Sequence, residues 1–175
     1  MRNLRKVSLR LAALAASLAL VGCANVVRVA PHTELKVIDP IWTTAYVTRN
    51  HGYLVYDTLF ALDENFEPQP QMVDRWTASN DKKTWVLHLR DGLQWHDGSA
   101  VTAADCVASL QRWGKRDGAG QLLFRDLESL VATDARTITL QFKVPNGTLP
   151  ETLAKMSANV PFMMVDRTQW NAEKG

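Results

Sequence analysis

The stretch Thr84 to Arg90 alternates between apolar and polar residues, and this pattern restricts the fold most sharply. Trp85, Leu87 and Leu89 share one face of an extended strand, and Val86, His88 and Arg90 share the other. Asp91-Gly92 follows, a two-residue hairpin signal, and Leu93 to His96 is expected to return as the partner strand with Leu93 and Trp95 inward. Asp97-Gly98 turns the chain again. Thr102 and Asp105 stand at the spacing of a capping box, which starts a helix at Ala103 with Val107, Leu110 and Trp113 on its apolar face.

The same signals recur along the chain. Val26 to Val29 reads as a first strand, interrupted by Pro31 and extended by Leu35 to Ile38. After an Asp39-Pro40 turn, Thr43 or Thr44 can cap a helix running to about Leu59, with Val47, Leu54 and Val55 apolar. Phe60 to Leu62 is a strand end, Asp63 to Asn65 a turn, Pro68 to Pro70 extended, and Met72 to Trp76 a short helix. Gly114 to Gly120 reads as a charged glycine-rich connection before a short helix, Leu122 to Leu127. Leu130 to Thr133 and Thr137 to Phe142 form a second hairpin around Asp134-Ala135-Arg136. Pro150 opens a helix over Glu151 to Met156, and Val160 to Val165 returns to the first sheet. Hairpins interspersed with helices indicate an α/β or α+β domain, and no linker divides the chain.

Charge and motifs exclude several functions. Of the 20 basic residues, Arg2, Arg5, Lys6 and Arg10 lie before Cys23, where there is no acid; the remaining 16 face 18 acidic residues. A body this weakly acidic, with no basic stripe, is not built for nucleic acid. The glycine-rich segment lacks the Lys-Ser/Thr of a phosphate-binding loop. His96 and Asp97 adjoin at a strand end, where neighbours point apart, and no third ligand stands at metal spacing. Asp97 is read as a turn former and His96 as a surface residue. The enzymatic alternative, an exported hydrolase using this pair, lacks a nucleophile. Trp76, Trp85, Trp95 and Trp113 are assigned to the core rather than to a site.

The N-terminus has an export pattern over residues 1–24: basic Arg2 to Arg10, then an apolar run of 11 residues, Leu11 to Val21, too short to span a bilayer. Leu20-Val21-Gly22-Cys23 fits lipoprotein processing, with Cys23 acylated as an anchor. Gly22-Cys23-Ala24 equally fits ordinary cleavage before Asn25, with Cys23 discarded as a small apolar residue. In either case Cys106 has no disulfide partner.

"VYDTLF" (Val55–Phe60), "PQPQMVDRW" (Pro68–Trp76), "TWVLHLRDGLQWHDGSAVTAADCVASL" (Thr84–Leu110) and "TITLQF" (Thr137–Phe142) occur in that order. Together they resemble family 5 of the extracellular solute-binding proteins of ABC importers, the dipeptide-, oligopeptide- and nickel-binding group. The resemblance implies an α/β fold of the type II periplasmic binding protein kind. It makes residues 25–175 an incomplete N-terminal lobe, with an inserted α+β subdomain at about 45–160 and the second lobe missing. It further implies that His-Asp-Gly is scaffold and that the protein is a monomer outside the cytoplasmic membrane, in the periplasm or cell envelope. There it would capture a peptide or similar small solute and deliver it to an ABC permease, without catalytic residue, metal or cofactor.

Family members are much longer than this chain, which stops at "NAEKG". The alternative expectation is therefore a truncated, non-functional remnant or a module that docks on the permease. Ligand contacts are expected from Ile41 to Tyr46 and from Arg112 to Gln121: Trp42, Thr44, Tyr46, Arg116 and Asp117. For Trp42 the competing expectation is packing under the first helix.

Overall fold

The computed structural model describes residues 28–165. The chain divides into two units, Met1–His32 and Thr33–Gly175, and the architecture below is that of the second. The export pattern at residues 1–24, Cys23 included, lies outside the described residues.

The elements are α1 (Tyr46–Val55), β1 (Asp57–Thr58), β2 (Phe60–Leu62), β3 (Pro68–Pro70), β4 (Val73–Ala78), β5 (Thr84–Leu89), α2 (Ala103–Gly114), α3 (Gly118–Asp126), β6 (Leu127–Ala132), β7 (Thr137–Phe142), α4 (Leu149–Leu153) and β8 (Phe162–Met163). A four-stranded antiparallel sheet in the order β4-β5-β7-β6 forms one layer, and β1-β8 and β2-β3 form two short ribbons. The alternation in β5 is realised: Trp85, Leu87 and Leu89 are buried, and Leu87 lies opposite Ile138, Trp85 opposite Leu140. Against this face packs α2 through Cys106, Leu110 and Trp113, all fully buried. Its start is the expected capping box: Thr102 Oγ1 accepts from the Asp105 N–H at 3.2 Å and Asp105 Oδ2 accepts from the Thr102 N–H at 2.9 Å.

Several expectations change. Leu93 to His96 is not the partner of β5, because β4 and β7 already fill both edges of that strand. The segment makes a single bridge, Gln94 to Ala100, and Gly92, at φ 73°, re-aims the chain rather than closing a hairpin. Met72 to Trp76 is not helical: Val73–Ala78 is the edge strand β4, where Thr77 and Trp76 suit a pleated surface. Trp76 consequently stays partly exposed, edge-on to Phe60 at 5.4 Å. Trp95 is half-buried against the core, while Trp85 and Trp113 are buried as expected. Among the described residues, neither 28–29 nor Leu35–Ile38 forms a strand.

The first helix stops at Val55, not Leu59, because Tyr56 is extended and closes the last turn onto the Gly52 carbonyl at 2.7 Å. Neither threonine caps it; Ala45 holds that position, and Leu54 is 85% exposed. The segment Gly114 to Gly120 is not a free connection, since α2 ends and α3 begins inside it. A Cβ on Gly114 would lie 2.3 Å from the Phe124 ring, and one on Gly120 2.9 Å from the Gly114 Cα. These glycines allow two helices to meet closely. The helix expected over Leu122 to Leu127 therefore starts at Gly118 and yields to β6 at Leu127. The last helix is Leu149–Leu153 rather than Glu151 to Met156, with Pro150 in its first turn. The apolar run beyond Val160 pairs, but with β1 and not with the strand expected at the start of the chain: Phe162 lies opposite Thr58 and Met163 opposite Asp57.

Candidate functional site

The loop entering α1 is fixed by polar side chains. The Asp39 carboxylate accepts from the N–H groups of Ile41 at 3.1 Å and Trp42 at 3.3 Å, and it pairs with Arg112 on α2. Burial pushes the Asp39 carboxyl up, but the Arg112 bond and charge and the two N–H groups outweigh it and hold it below its ordinary value. Ile41 is fully buried and anchors the loop to the core.

Trp42 then has nowhere to go but outward; it is 60% exposed. Packing under α1 is thereby excluded. Arg116, which lies 74 residues away in sequence, donates from Nη2 to the Trp42 carbonyl at 3.0 Å. Its guanidinium sits over the Trp42 ring, 4.2 Å from the centroid. Tyr46, 62% exposed, opens α1, and the Arg49 guanidinium covers its ring at 4.7 Å. Thr44 is exposed between them. Behind Arg49 opens a cavity of about 250 Å³ lined by Arg49, Tyr53, Phe60, Leu62 and Met156. Two exposed aromatic rings four residues apart in sequence thus each carry a guanidinium, and this strip of loop and first helical turn adjoins, through Arg49, a largely apolar hollow. Planar donors over π-faces suit carboxylates and peptide carbonyls.

Asp117 is placed differently from the other expected contacts. It is 4% exposed, it caps α3 by accepting from the N–H groups of Ala119 at 2.9 Å and Gly120 at 3.2 Å, and Lys155 Nζ lies 2.8 Å from its other oxygen. Buried, with both oxygens engaged by these groups, it holds the turn that presents Arg116. Lys155 and Asn159, which complete this arrangement, were not anticipated. Nothing in their neighbours announces them, because their partners are remote in sequence.

Asp97 does form the turn expected of it, accepting from the Ser99 hydroxyl at 2.6 Å and N–H at 2.9 Å. Those bonds keep its carboxyl below the ordinary range. His96 is exposed at the rim of a cavity of about 90 Å³. No cluster of metal-ligating side chains occurs among the described residues. The Cys106 thiol is fully buried and pushed up to about 12 by that burial and by Asp105, so it is no nucleophile. None of the helices in the described residues is long and apolar enough to cross a membrane.

Comparison with known proteins supplies the context. Residues 67–175 match the family described as bacterial extracellular solute-binding proteins, family 5 Middle. The probable peptide ABC transporter periplasmic-binding protein y4tO of Sinorhizobium fredii is 46% identical over 134 residues, which is 77% of this chain and 25% of that protein. The chain thus spans about a quarter of the length of this relative. Among solved structures, the substrate-binding domain of an oligopeptide ABC transporter from Bacillus anthracis superposes with a TM-score of 0.68 at 20% identity. That match covers 84% of this chain and 31% of the other. Haemophilus influenzae OppA in complex with the peptide RPPGFSPFR gives a TM-score of 0.63 at 23% identity, covering 78% and 29%. At these identities the structural likeness establishes the fold.

Proposed function

The chain belongs to family 5 of the bacterial extracellular solute-binding proteins, and from that premise we propose that it captures peptides outside the cytoplasmic membrane for delivery to an ABC permease. The family is one of binding proteins, and no catalytic step is assigned to His96 and Asp97. The observation that carries the reading is the Trp42–Arg116 stack, two side chains from distant segments meeting on an exposed surface beside Tyr46. Of the five N–H donors on a guanidinium, Arg116 spends one on the Trp42 carbonyl and keeps others for a carboxylate or peptide carbonyl. The indole face accepts a backbone or apolar side chain without sequence preference. Arg49 and the adjoining cavity offer room for a further side chain. Main-chain recognition with loosely held side chains is what a receptor for many peptides requires. In this reading the protein acts in the periplasm or cell envelope as a monomer, anchored by lipid where Cys23 is acylated.

Equilibrium dialysis of the purified protein against a pool of di- to hexapeptides, with mass spectrometry of the retained fraction, tests the proposal. Retention of peptides of mixed sequence, lost in Trp42→Ala and Arg116→Ala, is the expected result. Retention of none would overturn it.

A further inference from the structure

An exposed cation–π contact is too weak to hold two loops in place, yet Trp42 and Arg116 meet in good geometry. The support lies beneath them. Asn159 is buried, and its side-chain Nδ2 donates to the carbonyls of Pro40 at 3.3 Å, Ile41 at 3.0 Å and Thr43 at 3.1 Å. An amide has two N–H groups, so one of them is shared, and the loop wraps this single nitrogen on both sides of Trp42. The main-chain carbonyl of Asn159 accepts from the Trp113 indole at 2.8 Å and from Lys155 Nζ at 3.2 Å. Lys155 in turn bonds the Ser157 carbonyl and the Asp117 carboxylate, the residue next to Arg116. Between them Ala158 takes a left-handed conformation, φ 53°, which turns Asn159 inward. One short segment therefore grips the segment carrying Trp42 with a side chain and the segment carrying Arg116 with an ammonium.

We propose that Asn159 and Lys155 are a positioning pair: they set the spacing of Trp42 and Arg116, and through it the affinity for solute. The second half of this statement rests on the reading that Trp42 and Arg116 meet the solute; the first half does not. Asn159 is buried behind the loop, whereas Lys155 also lines the cavity beside Arg49, so the position of Trp42, and not affinity alone, reports the positioning role. Replacing Asn159 by aspartate keeps the shape and turns two donors into an acceptor facing three carbonyls. Replacing Lys155 by methionine keeps the length and removes the charge that Asp117 needs.

The test uses protein labelled with 5-fluorotryptophan, its Trp42 resonance assigned by Trp42→Phe. Arg116→Ala supplies the reference position of an unstacked Trp42, and Trp85, in the sheet, reports on the fold. Asn159→Ala, Asn159→Asp and Lys155→Met are expected to move the Trp42 resonance toward that reference while the Trp85 resonance stays. They are expected to weaken retention of the peptide pool about tenfold. An unmoved Trp42 in variants whose Trp85 is native overturns the positioning role, whatever the affinity does. A moved Trp42 with unchanged peptide retention confirms the positioning and overturns the solute-contact reading. If Asn159→Ala fails to fold, Lys155→Met carries the test, because it leaves the Asn159 side-chain amide in place and removes the ammonium that joins Asp117 to the Ser157 and Asn159 carbonyls.

Discussion

Two regions of this molecule are held together by different physics. The layer of β5, β7 and α2 is an apolar contact: Leu87, Ile138, Leu140, Leu110 and Trp113 are fully buried against one another. The strip of Trp42, Tyr46 and Arg116 is exposed and is held from behind by polar bonds from Asp39, Asn159 and Lys155. Burial is non-directional, so it fixes the layer without caring which apolar side chain fills each place. Hydrogen bonds are directional, so they fix a loop's shape but fail one partner at a time. A binding surface that must stay exposed cannot be stabilised by burying itself, and the second mode is what remains.

That contrast is broken most severely in the layer. Trp113→Ala is expected to cost about 3–5 kcal/mol, since it removes a fully buried indole and the bond to the Asn159 carbonyl. Urea unfolding followed by circular dichroism measures it, and a loss under about 1 kcal/mol would mean the layer is not the main source of stability. Next comes the buried pair behind the strip. Asp117→Ala strands Lys155 and uncaps α3, with an expected loss of about 2 kcal/mol; asparagine, which keeps a capping oxygen, should lose less.

Acid should separate the two regions more finely. The folded Asp39 carboxyl titrates below its ordinary value of 3.8. Its contribution is therefore complete above that value and is lost as the pH falls through the folded one. The loop carrying Trp42 should loosen there, with a shift of the Trp42 fluorine resonance that Arg112→Met moves to higher pH. The mildest change is Trp42→Ala. With its ring mostly in solvent, it should alter stability by no more than about 0.5 kcal/mol while abolishing peptide retention. A large stability loss would mean that Trp42 is structural after all.

The same contrast explains what could be read from the sequence. The strand at Thr84, the capping box at Thr102 and the hairpin ending at Phe142 carry local signals, periodicity and cap spacing, and all appear in the fold. Leu93 to His96 has the same local signal and fails, because two other strands compete for the edges of β5 and pairing is a non-local decision. The glycines of 114 to 120 signalled a loop, whereas the close approach of α2 to α3 requires them. Trp42, Tyr46 and Arg116 were legible as exposed candidates on two segments; their meeting was not, since Asn159 reaches back 116 residues to Thr43 with no pattern to mark it. Asp117 was expected as a ligand contact because nothing local reveals Lys155 beneath it.

The most direct measurement is a titration of the fluorotryptophan-labelled protein with the peptide pool. A saturable shift of the Trp42 resonance, absent in Arg116→Ala and unaccompanied by movement of Trp85, is the predicted result. Peptide retained by dialysis while the Trp42 resonance stays fixed would contradict the account, because the solute would then be held somewhere other than on the exposed strip.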